Sequence, residues 1–414
     1  MSRDGSEPGS AKIRRRAALQ SIGRLTAGAG LIGLGVIALT SSAPVFVSPA
    51  VSQPAPALPT PPANGEMGFV VQEFIPPVIQ GKDACPDGNA LRLRDAYLET
   101  LPADERARLK LKENLKEWDA RWFAYAFGPH GTNICSQPDQ FKRPLMRTVQ
   151  SKYAWGLDLG GHDGVDTCPH DKFTDPDGRI GVDNQEYRAM GCTPEWRGVD
   201  GVAGDIATGM RQFHGSGEWT QVILLRGVHS LVHQDNVEVI YANTPDRPPA
   251  DSKGHFLTGA SFSVSDTAPR HRNVLHGRIE NGVLTTDPTD IVLTETWGQG
   301  GARDIRGNRT NYDYRQGRLR LVFQPDGGLH GFLGGYRPVF DVVVSEALGG
   351  IGSALVAGID CAQSLTTLRH YADGLRDPKT GQCNGVSSAM QIKAIPAFVN
   401  DIAPKAPLQR ISQR

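Results

Sequence analysis

The chain has 414 residues, enough for one large core or two ordinary ones. Lys+Arg and Asp+Glu both number 44, so no global charge draws it to nucleic acid or to an anionic membrane. A hydrophobic content of 39% with 48 Gly and 29 Pro favours a loop-rich, mainly β protein over a helical bundle.

Residues 1–50 read as an export signal. Lys12, Arg14, Arg15 and Arg16 precede Ala17-Ala18-Leu19, and an uncharged Gly/Ala-rich run follows Arg24. The Arg15-Arg16 pair resembles a twin-arginine signal, with Ala where a bulky residue is usual. Ser48-Pro49-Ala50 offers a cleavage site, and an uncleaved segment would be the chain's one expected membrane contact. The destination is periplasmic or extracellular. Residues 51–67 are a Pro/Ala-rich linker.

In 68–150 an apolar stretch at 68–79 has strand character. A helical pattern then runs from Pro102 and Asp104 to about Phe127, with Leu109, Leu111, Leu115, Trp118 and Trp122 on the apolar positions. The segment is expected to be mainly helical. Its Lys and Arg residues interleave with Asp and Glu, which argues against nucleic acid.

Residues 151–200 carry the densest chemistry. Asp158, Asp163, Asp166, Asp171, Asp175, Asp177 and Asp183 sit among glycines and prolines, so they occupy loop. Crowded carboxylates repel unless a cation neutralises them, and Ca²⁺ is the first candidate. An EF-hand is excluded: with Asp177-Gly178 as positions five and six, position one is Phe173 and position twelve Asn184. An irregular site built from Asp175, Asp177, Asp183 and Asn184, with Asp158, Asp163 and Asp166 completing it or forming a second, is the expectation. His162-Asp163 and His170-Asp171 leave a transition metal as the alternative.

Residues 201–340 alternate in the manner of short strands at 222–228, 237–243, 256–264, 274–280, 290–296, 318–324 and 329–336. Leu319, Leu321 and Phe323 share one face of their strand, Arg318 and Arg320 the other. Pro325-Asp326-Gly327-Gly328 is a hairpin turn. These runs predict an antiparallel β-sandwich of jelly-roll or lectin type, with flanking N- and C-terminal helices. The long loop at 298–314 interrupts the strands, and Trp297, Tyr312 and Tyr314 in and beside it are the candidate ligand-stacking surface. Residues 341–403 read as helical, with the best helix at 364–372, and 404–414 as a tail.

Other motifs carry little. His229 and His233 (HxxxH), like His271 and His276, read as polar strand ends. Gly385-Val386-Ser387-Ser388 lacks the second glycine of a nucleophile elbow. Glu238, Glu280 and Glu295 lie on predicted strands and would serve glycoside chemistry only if a groove paired them. No P-loop or dinucleotide fingerprint occurs.

Cys85, Cys135, Cys168, Cys192, Cys361 and Cys383 suit an oxidising compartment. Six cysteines allow fifteen pairings. Neighbour pairing, 85–135, 168–192 and 361–383, is the simplest.

The stretch from Gly156 to Cys192, together with Phe332-Leu-Gly-Gly-Tyr-Arg-Pro338 and residues 370–399, resembles a family of exported bacterial proteins that share an Asp/Cys loop and a Gly-Tyr-x-Pro segment. The resemblance implies export and no particular chemistry. The expectation is an exported, disulfide-braced, calcium-stabilised binding protein for a glycan, polymer or envelope partner. The alternatives are a calcium-dependent polysaccharide-active enzyme and an accessory subunit of an envelope complex.

Overall fold

The computed structural model describes residues 57–128, 132, 134–160, 167–199, 202, 204–217, 219–264, 272–294, 311–346 and 358–401. The expected export signal, the first residues of the linker and the tail lie outside them.

The strands are β1 (Met67–Ile75), β2 (Phe173–Thr174), β3 (Ile180–Val182), β4 (Gln221–Arg226), β5 (His233–Asn243), β6 (Ser261–Val264), β7 (Arg272–Glu280), β8 (Val283–Thr286), β9 (Thr289–Thr294), β10 (Asn311–Phe323), β11 (Leu329–Pro338), β12 (Gly374–Arg376) and β13 (Cys383–Asp401). Those from β4 to β11, apart from β8, fall close to the alternating runs of the sequence. The turn after β10 forms as expected, with Gly327 N donating to Gln324 O and Gln324 N to Gly328 O.

Strands β1, β4, β5, β7, β8, β10, β11 and β13 pair antiparallel in that order, and β13 returns to β1, with Gly68 opposite Ala397 and Ile75 opposite Gln391. The sheet is a closed barrel, so the expected sandwich is incorrect. Sandwich and barrel share the same in–out alternation, and only the long-range β1–β13 pairing separates them. β13 itself was read as part of a helical segment. Its small residues Gly385, Ser387, Ser388 and Ala389 hide the alternation of Met390, Ile392 and Ala394.

One face of each strand fills the barrel. Phe69, Val71, Ile223, Leu225, Val239, Leu275, Leu284, Leu319, Leu321, Leu333, Met390 and Ile392 are all buried in one apolar cluster. The in–out pattern works because successive side chains point to opposite faces. A smaller outer cluster, with Val70, Leu224 and Ile240, lies under Phe262 and Val264 of β6, which adds in parallel to the end of β13.

Short helices surround the barrel: α1 (Leu93–Glu99), α2 (Ala103–Leu109), α3 (Leu115–Ala126), α4 (Gln185–Met190), α5 (Pro194–Arg197), α6 (Asp205–Ser216), α7 (Val339–Glu346) and α8 (Cys361–His370). α6 buries Ile206, Met210 and His214, one residue per turn, and stops at Gly217, whose φ of 83° suits a left-handed cap.

The cysteines pair as Cys85–Cys192, Cys135–Cys361 and Cys168–Cys383, with Cα separations of 5.8, 4.9 and 6.2 Å. Neighbour pairing is therefore incorrect. Each bridge joins segments more than a hundred residues apart, which the barrel and its helices bring together. Among the described residues, no helix is long and apolar enough to cross a membrane.

Candidate functional site

The aspartate-rich segment packs on the outer wall of the barrel. Leu157 and Leu159 bury against Tyr336 on β11, and Gly334 leaves room for the Leu157 side chain. β2 and β3 form a hairpin, and its Asp175-Pro176-Asp177-Gly178 link is a tight turn. Arg179 N donates to Asp175 Oδ1 at 2.8 Å, and the Arg179 guanidinium pairs with the same buried carboxylate. Asp177 is exposed.

The expected calcium ligands thus divide. Asp175 is held by Arg179. Asn184 caps α4, its Oδ1 accepting from Tyr187 N and its Nδ2 donating to Trp155 O. Asp158 is exposed, accepts from Gly160 N and pairs with Lys172 at 3.3 Å. Asp163 and Asp166, with His162, lie outside the described residues.

Asp183 joins a different set. Among the described residues, His170, Asp183 and Asp373 are the one group of three or more metal-capable side chains, with ligand atoms within 4.8 Å of one another. His170 Nε2 lies 2.8 Å from Asp183 Oδ1 and 3.2 Å from Asp373 Oδ2. Both carboxylates are buried. Each group is anchored through its other atom. Cys168 O can only accept, so His170 Nδ1, 3.0 Å away, carries the proton. Asp183 Oδ2 accepts from Leu159 N at 2.8 Å and from Lys172 Nζ at 3.1 Å. Asp373 Oδ1 accepts from Ser387 N at 2.6 Å.

Burial alone would lower the His170 pKa. The Asp183 hydrogen bond, the Asp373 charge and the Cys168 carbonyl outweigh it, and the net shift is upward. Burial pushes Asp373 up to about 6, against the opposing pull of His170 and Ser387.

Asp373 is absent from the candidate ligands that the sequence offers, and lies just past the helix expected at 364–372. It follows α8 and reaches the aspartate loop because Cys168 N donates to Asp373 O and Cys168 is bonded to Cys383. No local spacing announces a ligand so far along the chain. A cleft of about 310 Å³, lined by Thr167, His170, Lys172 and Arg376, opens over this joint.

Beside it, a groove of about 510 Å³ runs between the β2–β3 hairpin and the barrel wall, lined by Arg179, Arg278, Arg318 and Arg320, with Asp158 and Asp287. Arg278 and Arg320 both lie opposite Thr285, so they point outward from strands flanking β8. Arg318 donates to Leu159 O at 2.9 Å. The Arg320 side chain, half-buried, has no hydrogen bond or ion pair among the described residues. Burial first, and the charge of Arg179 second, lower its pKa. Phe332, opposite Arg320 in register, stacks on Trp155 at 5.7 Å.

Tyr312 and Tyr314 are not a ligand surface. They turn inward and are 4% and 0% exposed, with Tyr312 packed on Trp219 at 5.1 Å. Inward alternation beyond the bulge of β10 takes them into the core. Trp297 and Glu295 lie outside the described residues. Glu238 pairs with Arg226 at 3.2 Å and Glu280 is exposed on another strand. His229 and His233 are exposed, and Ser387 lies buried in β13. No protein-family model, curated protein or solved structure matches this chain.

Proposed function

We propose that the protein is an exported binding protein for an anionic envelope polymer, a carboxylate-bearing glycan, held in the arginine-lined groove beside the aspartate hairpin. The observation that carries this reading is Arg320, a half-buried guanidinium without a hydrogen-bond or ion-pair partner among the described residues, in a groove with three further arginines. Guanidinium groups bind carboxylates through paired donors, and a partly desolvated one gains most from an incoming anion. Neighbouring strands lie about 4.8 Å apart, so Arg278 and Arg320 stand roughly 10 Å from each other. That spacing suits successive charges on an extended polymer better than one small anion. The Trp155–Phe332 stack continues the same row and offers an aromatic edge to sugar rings. Export is supported by the basic, twin-arginine-like start and by three disulfides.

Isothermal titration with polygalacturonate and with neutral dextran tests this reading. The expected result is binding of the polyuronate alone, weakening with salt, and loss of about tenfold or more in affinity in Arg278→Gln/Arg320→Gln. Equal binding of both polymers, or an unchanged double variant, overturns it. Depolymerisation of the polyuronate would replace the binding reading with an enzymatic one.

A further inference from the structure

The three side chains at the aspartate joint share one design. His170 is fixed through Nδ1, Asp183 through Oδ2 and Asp373 through Oδ1. In each case a ligand atom remains, Nε2, Oδ1 and Oδ2, and the ligand atoms of the three residues lie within 4.8 Å of one another. Outer hydrogen bonds that orient each ligand and leave one donor atom free are the arrangement metal sites use.

A proton does not complete this arrangement. Placed on His170 Nε2, it is shared with Asp183 Oδ1 at 2.8 Å. Among the described residues, Asp373 Oδ2 is then left buried without a hydrogen bond, although it lies 3.2 Å from the same nitrogen. A buried carboxylate oxygen without a donor is costly, and a cation at the common point satisfies all three atoms together.

Geometry and ligand type select the cation. Ligands about 2.0 Å from a tetrahedral ion lie roughly 3.3 Å apart. The two separations from Nε2, 2.8 and 3.2 Å, fall within half an ångström of that edge. One imidazole and two carboxylates are a three-ligand nitrogen and oxygen set of the kind Zn²⁺ accepts, whereas Ca²⁺ takes six to eight oxygens. His170 is the most exposed of the three at 14% of its side chain, so the fourth position faces the cleft with Thr167, Lys172 and Arg376.

We propose that His170, Asp183 and Asp373 form a mononuclear Zn²⁺ site with its fourth position open to the cleft. The ion ties the aspartate loop to the segment after α8, the same two segments that Cys168–Cys383 joins. Lys172 stays outside the ligand set, on the far oxygen of Asp183. This site stands independently of the polymer groove.

The test uses the folded, disulfide-intact protein, stripped by chelator and titrated near neutral pH with Zn²⁺, Co²⁺ and Ca²⁺ separately. The expected result is one Zn²⁺ per chain by elemental analysis after dialysis. Co²⁺ should give a visible absorption of four-coordinate intensity. His170→Gln and Asp373→Asn should each lower Zn²⁺ affinity by about a hundredfold, while Asp177→Asn leaves it unchanged. Asn at 373 retains an acceptor for Ser387 N, and far-ultraviolet circular dichroism checks that each variant folds. Failure of the wild-type protein to retain Zn²⁺ overturns the site. So does Zn²⁺ binding that both ligand variants preserve, or binding of Ca²⁺ in place of Zn²⁺ and Co²⁺.

Discussion

His214 and His170 are both shielded from solvent, yet their surroundings treat charge in opposite ways. His214 is wholly buried on α6, with Phe74 and Trp219 rings 6.3 and 5.1 Å away. Burial lowers its pKa to about 4, and the Val71 backbone opposes this only in part. His170 meets two carboxylates and a carbonyl. The aromatic core under α6 therefore holds its histidine neutral. The joint on the outer wall concentrates charge around its own. A core that tolerates no unpaired charge is built for rigidity, whereas a half-open joint of opposed charges is suited to exchanging a proton or an ion.

The aromatic core does contain an ion pair, and it gives the largest expected effect. Arg337 and Glu186 meet at 2.7 Å, each 3% exposed, with the guanidinium 4.4 Å over the Tyr312 ring. Arg337→Met leaves the Glu186 carboxylate buried without its counter-charge. The expected loss is about 3–5 kcal/mol, measured by chemical denaturation. The double variant Glu186→Gln/Arg337→Met should recover part of it. A loss below about 1 kcal/mol would mean that water reaches this core and that the contrast with the joint is false.

How much of this was legible in the chain differs between the two regions. The wall strands were readable, because residues such as Leu319, Leu321 and Phe323 alternate with Arg318 and Arg320. Closure was not, because it depends on β13, where Gly385, Ser387, Ser388 and Ala389 carry too little apolar area to mark an inner face. The aspartate loop was visible as a concentration of charge, but its partition was not. Asp175 is drawn off by Arg179 four residues later, and Asn184 by the cap of α4. Asp183 meets Asp373 across His170, and that meeting depends on a disulfide whose pairing local spacing does not favour. Tyr312 and Tyr314 looked like ligand contacts because the sequence places them in the long loop at 298–314. Strand alternation puts them inside.

The next expected effect is a pH dependence located in the aromatic core. His214 has a folded pKa of about 4 against a reference of 6.5, so between these values the unfolded chain binds the extra proton. Its contribution is fully present above pH ~6.5 and falls as pH drops towards 4, by about 3 kcal/mol in all. Glu195 and Asp360, whose pKa values burial raises, act in the opposite sense. The informative quantity is thus the difference between wild type and His214→Gln. Denaturation midpoints of the two should converge as pH falls from 6.5 to 4. Parallel profiles would show that His214 is protonated, or reached by water, in the folded protein.

The smallest effect belongs to the joint, and it uses the same kind of deletion as in the core. Lys172 lies between Asp158 and Asp183, at 3.3 and 3.1 Å, but 26% of its side chain and 51% of the Asp158 side chain are exposed. Water screens the pair on that side. Asp183 also keeps its hydrogen bond from Leu159 N and its contact with His170. Lys172→Met should therefore cost about 1 kcal/mol or less, several-fold below Arg337→Met, in the same denaturation experiment. Salt near 1 M should shrink the difference further, because the Debye length there, about 3 Å, matches the separation of these partly exposed charges. A cost equal to that of Arg337→Met would place Lys172 within the enclosed structure. The joint would then be as closed as the aromatic core, and an open fourth ligand position above His170 would lose its physical basis.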